Sequence, residues 1–284
     1  MTHLIALIDG SGYSQSVCDL TRWVAERTEA SVELLHVLGR RNTDSEPADL
    51  SGNLKLGARS ALLKELADLD EQKNKLELKR GRVLLEEAKS NLEEAGLSTV
   101  TTKLRHGDLI DAVEEFESNA DLIVIGKRGE AADFAKLHLG SNLERVVRSA
   151  TKPVMVASRA FKPISSFLIA FDGGESAMKA VRHIANGKLF TGLPCLLLCV
   201  GKPTDSLQEK LDDAAALLRK AGYEVEAGFE AGEPEDVIKN RIESDNIDLL
   251  VMGAYGHSRI RNLIIGSTTT EMVRSCQVPV MMFR

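Results

Sequence analysis

Gly253-Ala254-Tyr255-Gly256, then nine residues, then Gly266-Ser267-Thr268, is the segment of this 284-residue chain whose residue types and spacing most directly suggest chemistry. It follows the apolar run Leu249-Leu250-Val251-Met252, which reads as a buried strand, and it leads into a helical stretch from Thr269 to Cys276. Glycines on a strand-to-helix connection let the backbone come close to an anion, because no Cβ stands between them. The helix behind them offers unpaired N–H groups and the positive end of its dipole. Ser267 and Thr268 add hydroxyl donors, and His257, Arg259 and Arg261 read either as cations for the outer phosphates or as exposed loop residues. These are the parts of a phosphate cradle, but not of a Walker loop, since no Gly-Lys-Ser/Thr follows. The plainer reading, that the glycines only make turns, stands beside it.

The segment is half of an internal repeat. Asp121–Gly126 echoes Asp248–Gly253, Gly140–Ser149 echoes Gly266–Ser275, and Lys152–Val156 echoes Val278–Met282. At the front, Leu4–Gly10 echoes Phe167–Gly173, and His106-Gly107-Asp108 echoes Ala231-Gly232-Glu233. The same landmarks in the same order, twice, predict two copies of one domain, residues 1–160 and 161–284. A hydrophobic content of 43% is enough for two cores.

Short, β-branched, nearly continuous apolar runs alternate with amphipathic stretches, which predicts two doubly wound α/β units in tandem, each a parallel five-stranded sheet covered on both faces. The predicted strands are His3–Ile8, Val32–Val37, Thr99–Leu104, Leu122–Ile125 and Val154–Val156, then Ser166–Phe171, Cys195–Val200, Tyr223–Gly228, Leu249–Met252 and Val280–Met282. Helices are expected over Tyr13–Glu29, Val83–Ala95, Leu109–Ser118 and Asn142–Ser149, with counterparts in the second copy. The first copy carries an insertion at about 40–80: a polar loop, then Lys55–Arg80, rich in Leu, Lys and Glu at helical spacing. A solvated extra or extended helix is one reading of it, and a partner or oligomer surface is the other.

In a doubly wound sheet of order 3-2-1-4-5 the ligand crevice lies where the strand order reverses, between the first and fourth strands. Asp172 closes the first strand of the second copy and Gly253 closes the fourth, so the two should flank one crevice. A carboxylate there accepts hydrogen bonds from ribose hydroxyls or an adenine amino group, with Val200 and Met252 at the neighbouring strand ends. Capping the following helix is the other role open to Asp172.

The Gly-two-Gly-nine-Gly-Ser/Thr spacing, the aspartate closing the first strand and Leu34-Leu35-His36-Val37 together resemble the universal stress protein family, over nearly the whole chain, as a tandem-domain member. That resemblance implies Rossmann-like domains of order 3-2-1-4-5, and ATP, or ADP or AMP, in the crevice with Mg2+ on the phosphates. It also implies domain pairing through the fifth strands, a homodimer, and a cytoplasmic role in stress resistance. Carried over residue by residue, Asp172 and Val200 take nucleoside positions, while Gly253, Gly256, Gly266, Ser267 and Thr268 take phosphate positions. The first copy offers Asp9, Val37, Gly126, Gly129, Gly140, Ser141 and Asn142, but with ten residues between Gly129 and Gly140 and with Glu130 and Asp133 nearby. The second copy is therefore expected to be the main site. Lys127 and Arg128 read either as phosphate ligands or as a solvated loop.

A formal charge of −6 and a pI near 5.6 argue against nucleic-acid binding, no apolar run reaches membrane-spanning length, and no signal peptide is evident. Cys18, Cys195, Cys199 and Cys276 lack metal-ligand spacing and read as buried thiols, His36 as a core histidine and Trp23 as a core residue of the first helix. No nucleophile–base pair or Gly-x-Ser-x-Gly elbow stands out, which favours a nucleotide-liganded sensor over an enzyme. A slow ATPase or adenylating enzyme, and a module holding an apolar ligand or lipid, are the alternatives.

Overall fold

The computed structural model describes residues 2–39, 56–129, 141–254 and 267–284. Its strands are β1 (His3–Leu7), β2 (Ser31–Gly39), β3 (Val100–Gly107), β4 (Leu122–Gly126), β5 (Val154–Ala157), β6 (Phe167–Ala170), β7 (Cys195–Val200), β8 (Val225–Glu230), β9 (Leu249–Gly253) and β10 (Val280–Phe283). Between them lie α1 (Ser14–Thr28), α2 (Leu56–Glu94), α3 (Leu109–Glu117), α4 (Ser141–Ser149), α5 (Glu175–Asn186), α6 (Asp205–Lys220), α7 (Pro234–Ser244) and α8 (Ser267–Ser275). The predicted strands all form, with ends that differ by at most three residues.

Within each half the strands are parallel in the order 3-2-1-4-5. The two five-stranded sheets meet edge to edge, because β5 and β10 pair antiparallel, with Val156 opposite Val280 and Val154 opposite Met282. The result is one ten-stranded sheet, β3-β2-β1-β4-β5-β10-β9-β6-β7-β8. Pairing satisfies the backbone N–H and C=O groups that two hydrophobic edges would otherwise expose. Since each half is parallel and the seam is antiparallel, the C-terminal strand ends of the two halves face opposite ways.

Side chains alternate between the faces of the sheet. Leu4, Ala6, Ile8, Phe167, Ile169 and Phe171 pack on one face beneath α1, α2, α5 and α6, while Ile5, Leu7, Ile123, Leu168, Leu250 and Met282 pack on the other beneath α3, α4, α7 and α8. Each core continues across the seam without a break. Trp23 lies at the junction of the halves and is only half-buried: its ring centroid is 6.3 Å from that of Phe190. Arg27 stands 5.4 Å above the indole and donates to the carbonyls of Leu189 and Thr191 in the second half.

The insertion takes the extended-helix form, one of the two readings open to it. Residues 56–80 and 83–94 of the two predicted stretches belong to a single 39-residue helix, α2, on the order of 58 Å long. Gly81 does not break it. A Cβ built there would lie 2.8 Å from His36 Cδ2 and 2.9 Å from Leu104 Cδ1, so glycine lets the helix settle directly onto β2 and β3. Val substituted at Gly81 would have to push α2 off the sheet. Gly81→Val is expected to lose about 1–3 kcal/mol of stability, measured by urea denaturation.

Candidate functional site

The first crevice is built at the ends of β1, β2 and β4. Ile8 N–H still donates to Leu35 O at 3.0 Å, and the chain then leaves the sheet at Asp9, beside Val37. Asp9 Oδ1 accepts the Ser11 N–H at 3.0 Å, which holds the carboxylate at the strand end. Gly129 comes up against the same carboxylate: a Cβ there would lie 3.0 Å from Asp9 Oδ2. Asp9, Val37, Gly126, Gly129 and Asn142 together line a cavity of about 500 Å³. Ser141 is the first residue of α4, whose opening turn faces this cavity. Gly140, Glu130 and Asp133 lie outside the described residues.

The cavity also has walls that the sequence did not reveal as such. His36 is 9% exposed, and its Nδ1 lies 2.6 Å from Ile8 O. A carbonyl only accepts, so Nδ1 carries the proton, and the ring is a satisfied part of the wall. Asp108 caps α3 by accepting the Ile110 N–H at 2.8 Å, and Arg145 of α4 grips both of its oxygens at 2.7 and 2.6 Å. The Arg145 hydrogen bond, against the opposing effect of desolvation, holds the Asp108 carboxyl below the usual carboxylate range. The Ala231-Gly232-Glu233 echo of His106-Gly107-Asp108 was the signal for Asp108. Arg145 had none, because its counterpart in the repeat is Glu271.

The second crevice has the same frame. Ala170 pairs with both Leu198 and Met252, and Phe171 N–H donates to Leu198 O at 2.8 Å, which brings Asp172, Val200 and Gly253 to adjoining strand ends. Asp172 is exposed, and its Oδ1 accepts the Gly174 N–H at 2.8 Å. Gly174 occupies the N-cap of α5 with no side-chain cap, so Asp172 closes the turn before the helix instead of capping it. Burial, with Asp172 close by, pushes the Cys199 thiol up to about 11. Met252 is 6% exposed and belongs to the core packed against α7 and α8, so its side chain is a floor rather than an open contact. Ser267 and Thr268 open α8. Gly256, His257, Arg259 and Gly266, with Tyr255 and Arg261, lie outside the described residues.

Two expectations take a different form. The leading glycine of each motif meets protein. A Cβ on Gly126 would lie 2.9 Å from Tyr13 Cβ, and one on Gly253 would lie 3.0 Å from Ser176 Cβ. These glycines let the helix after the first strand of each half approach the end of the fourth, a packing demand independent of any ligand. Lys127 is held by the other half of the chain. Its Nζ turns away from the crevice and donates to Cys276 O, beyond the last residue of α8 in the other half, at 2.8 Å. Arg284, following β10, makes the converse contact on the Arg148 carbonyl at the end of α4, at 2.5 Å. A cation at a helix C-terminus is favourable there.

The halves differ in charge at matching positions. Where the first crevice has Asp108 and Arg145, the second half has Glu233 and Glu271. Glu235 next to them is raised above the ordinary carboxylate value by burial and by the charges of Glu271, Asp236 and Glu233. Among the described residues no group of three or more His, Cys, Asp or Glu side chains is placed to hold a metal, and no helix is long and apolar enough to cross a membrane. All four cysteines are buried and unbridged, and burial pushes Cys18 up to about 12.

A profile of the universal stress protein family matches residues 1–158 and 164–284. A universal stress protein from Synechocystis sp. is 38% identical over 287 residues, spanning 100% of both chains. One from Mycolicibacterium smegmatis is 24% identical over 206 residues, 66% of this chain and 69% of that protein. Among solved structures, a universal stress protein from Archaeoglobus fulgidus superposes with a TM-score of 0.67 over 99% of this chain and 96% of its own, at 21% identity. At that identity the likeness concerns the fold.

The Lys127 contact has a pH signature. Burial, together with the nearby Arg128 and against the pull of Cys276, lowers the Lys127 ammonium to about 8 from its ordinary 10.5. Between those values the unfolded chain holds the proton more tightly than the folded one, so stability rises with pH through that window. Lys127→Met is expected to lack this rise. Paired urea titrations at pH 7.5 and pH 10 should show wild type gaining on the variant as the pH increases.

Proposed function

The chain belongs to the universal stress protein family, and we propose that it is an adenine-nucleotide-binding regulatory protein, with ATP as ligand and Mg2+ on its phosphates. The observation that carries this reading is the first-half cavity of about 500 Å³, bounded by a strand-end aspartate, glycines of the repeated motif and the opening turn of α4. It lies at the reversal of strand order, where doubly wound sheets take their ligands, and its volume suits a nucleotide.

The second copy, with the unbroken motif, is proposed as the main site. Asp172 and Val200 would hold the nucleoside, with Met252 beneath. Gly253, Gly256, Gly266, Ser267 and Thr268 would carry the phosphates, aided by His257 and Arg259. Magnesium on the phosphates would offset the carboxylates Glu233 and Glu271. In the first copy the cation best placed for an anion, Arg145, is held by Asp108, which weakens that site. The protein would act by preferring one of two conformations when liganded, which shifts their populations. The fifth-strand edges are already paired within the chain, so a homodimer would have to use another surface.

Freshly purified protein, denatured and analysed by chromatography, is expected to release one ATP per chain. Gly266→Asp should abolish this and Gly129→Asp should leave it, since the latter places a second carboxylate only beside Asp9. No released nucleotide together with failed Mg-ATP titration would overturn the reading. In the same titrations Asp108→Asn, which frees Arg145, is expected to tighten the first site about tenfold, one charge-assisted hydrogen bond's worth.

A further inference from the structure

Residues 63–76 of α2 are exposed on every side. From Gly81 onwards the helix packs on the body, with Gly81, Leu85, Ala88 and Leu92 buried against β2, β3 and α1. Leu85, Ala88 and Leu92 have the spacing of Leu211, Ala214 and Leu218 in α6, and each helix closes alike, Leu97 N–H on Leu92 O and Tyr223 N–H on Leu218 O, both at 3.1 Å. On that alignment α6 begins at the counterpart of Lys79, so Leu56–Leu78 has no equivalent in the second half. An isolated helix of this length draws little stability from propensity alone and normally depends on packing an apolar stripe.

Such a stripe is present on a face distinct from the docked one. Leu62, Leu66, Leu69, Lys73, Leu76, Arg80 and Val83 alternate at spacings of four and three, the heptad pattern, with Leu62, Leu69, Leu76 and Val83 seven apart. Leu66, Leu69, Leu76 and Val83 are 47, 56, 66 and 48% exposed. Charge is divided along the same segment. Glu65, Asp68, Asp70 and Glu71 outnumber Lys64 in the first part, while Lys73, Lys75, Lys79, Arg80 and Arg82 outnumber Glu77 in the second.

We propose that this segment of α2 pairs antiparallel with the same segment of a second copy of the chain, as a short two-stranded coiled coil that joins two molecules. A parallel partner would set acidic on acidic and basic on basic, whereas an antiparallel one sets each against the other and opposes the helix dipoles. Centred near residue 71, the pairing packs Leu66 on Leu76 of the second copy and Leu69 on the stem of its Lys73. It places Glu65 beside its Lys79. The two bodies then sit at opposite ends of a shared segment roughly 28 Å long. This inference is independent of the nucleotide reading.

Sedimentation velocity on the full chain is expected to give a dimer, and Leu69→Lys/Leu76→Lys is expected to give a monomer with the wild-type urea midpoint. Glu65→Lys and Lys79→Glu should each weaken the dimer about three- to tenfold, and the double swap should restore it. Gln72→Cys should cross-link on oxidation, because that position faces itself across the centre and the four native cysteines are buried. A monomeric wild type would overturn the proposal. A Leu69→Lys/Leu76→Lys variant that stays dimeric would do the same, pointing to another surface or to residues 40–55 as the cover. So would a dimer strengthened by Glu65→Lys, which marks a parallel pair.

Discussion

The antiparallel pairing of β5 with β10 is the contact on which the rest of the molecule depends. It turns two sheets into one, lets both hydrophobic cores run through the junction, and sends the two crevices to opposite edges. Each of α4 and α8 therefore starts at one crevice and ends near the loops of the other. The helix α4 opens at the first cavity and finishes under Arg284, while α8 finishes under Lys127, between the glycines of the first crevice. Four residues on each side of the seam thus set the geometry of sites they do not touch.

Much of this was legible in the chain. The repeat fixed the strand count, the strand order came with the family resemblance, and the aspartates at positions 9 and 172 follow the first strand of each half as the pattern put them. What was hidden depends on contacts between elements far apart in sequence. Lys127 lies between two glycines of a presumed phosphate loop, and nothing local says that it reaches 149 residues along the chain to Cys276. Gly126 and Gly253 look like glycines cleared for an anion, yet the close atoms belong to Tyr13 and Ser176. Glycine is a poor helix former, and only the proximity of His36 and Leu104 shows why Gly81 is tolerated in mid-helix.

The two copies share a frame and differ in charge. An Asp108–Arg145 pair in one half is replaced by two glutamates in the other, so identical backbones would present different fields to the same ligand. The root of α2 adds to this difference: Leu84 lies against Gly10 at the first crevice, where Leu207 and Lys210 of α6 lie against Gly173 in the second. An extension unique to the first half thus begins next to its crevice.

The central claim is that adenine nucleotide enters at the reversal of strand order. Photolabelling with an azido-adenine nucleotide, followed by peptide mapping, tests it most directly. Labels on peptides spanning Asp172 to Val200, removed by excess ATP, are the expected result. Labels confined to other surfaces, or insensitive to ATP, would contradict it.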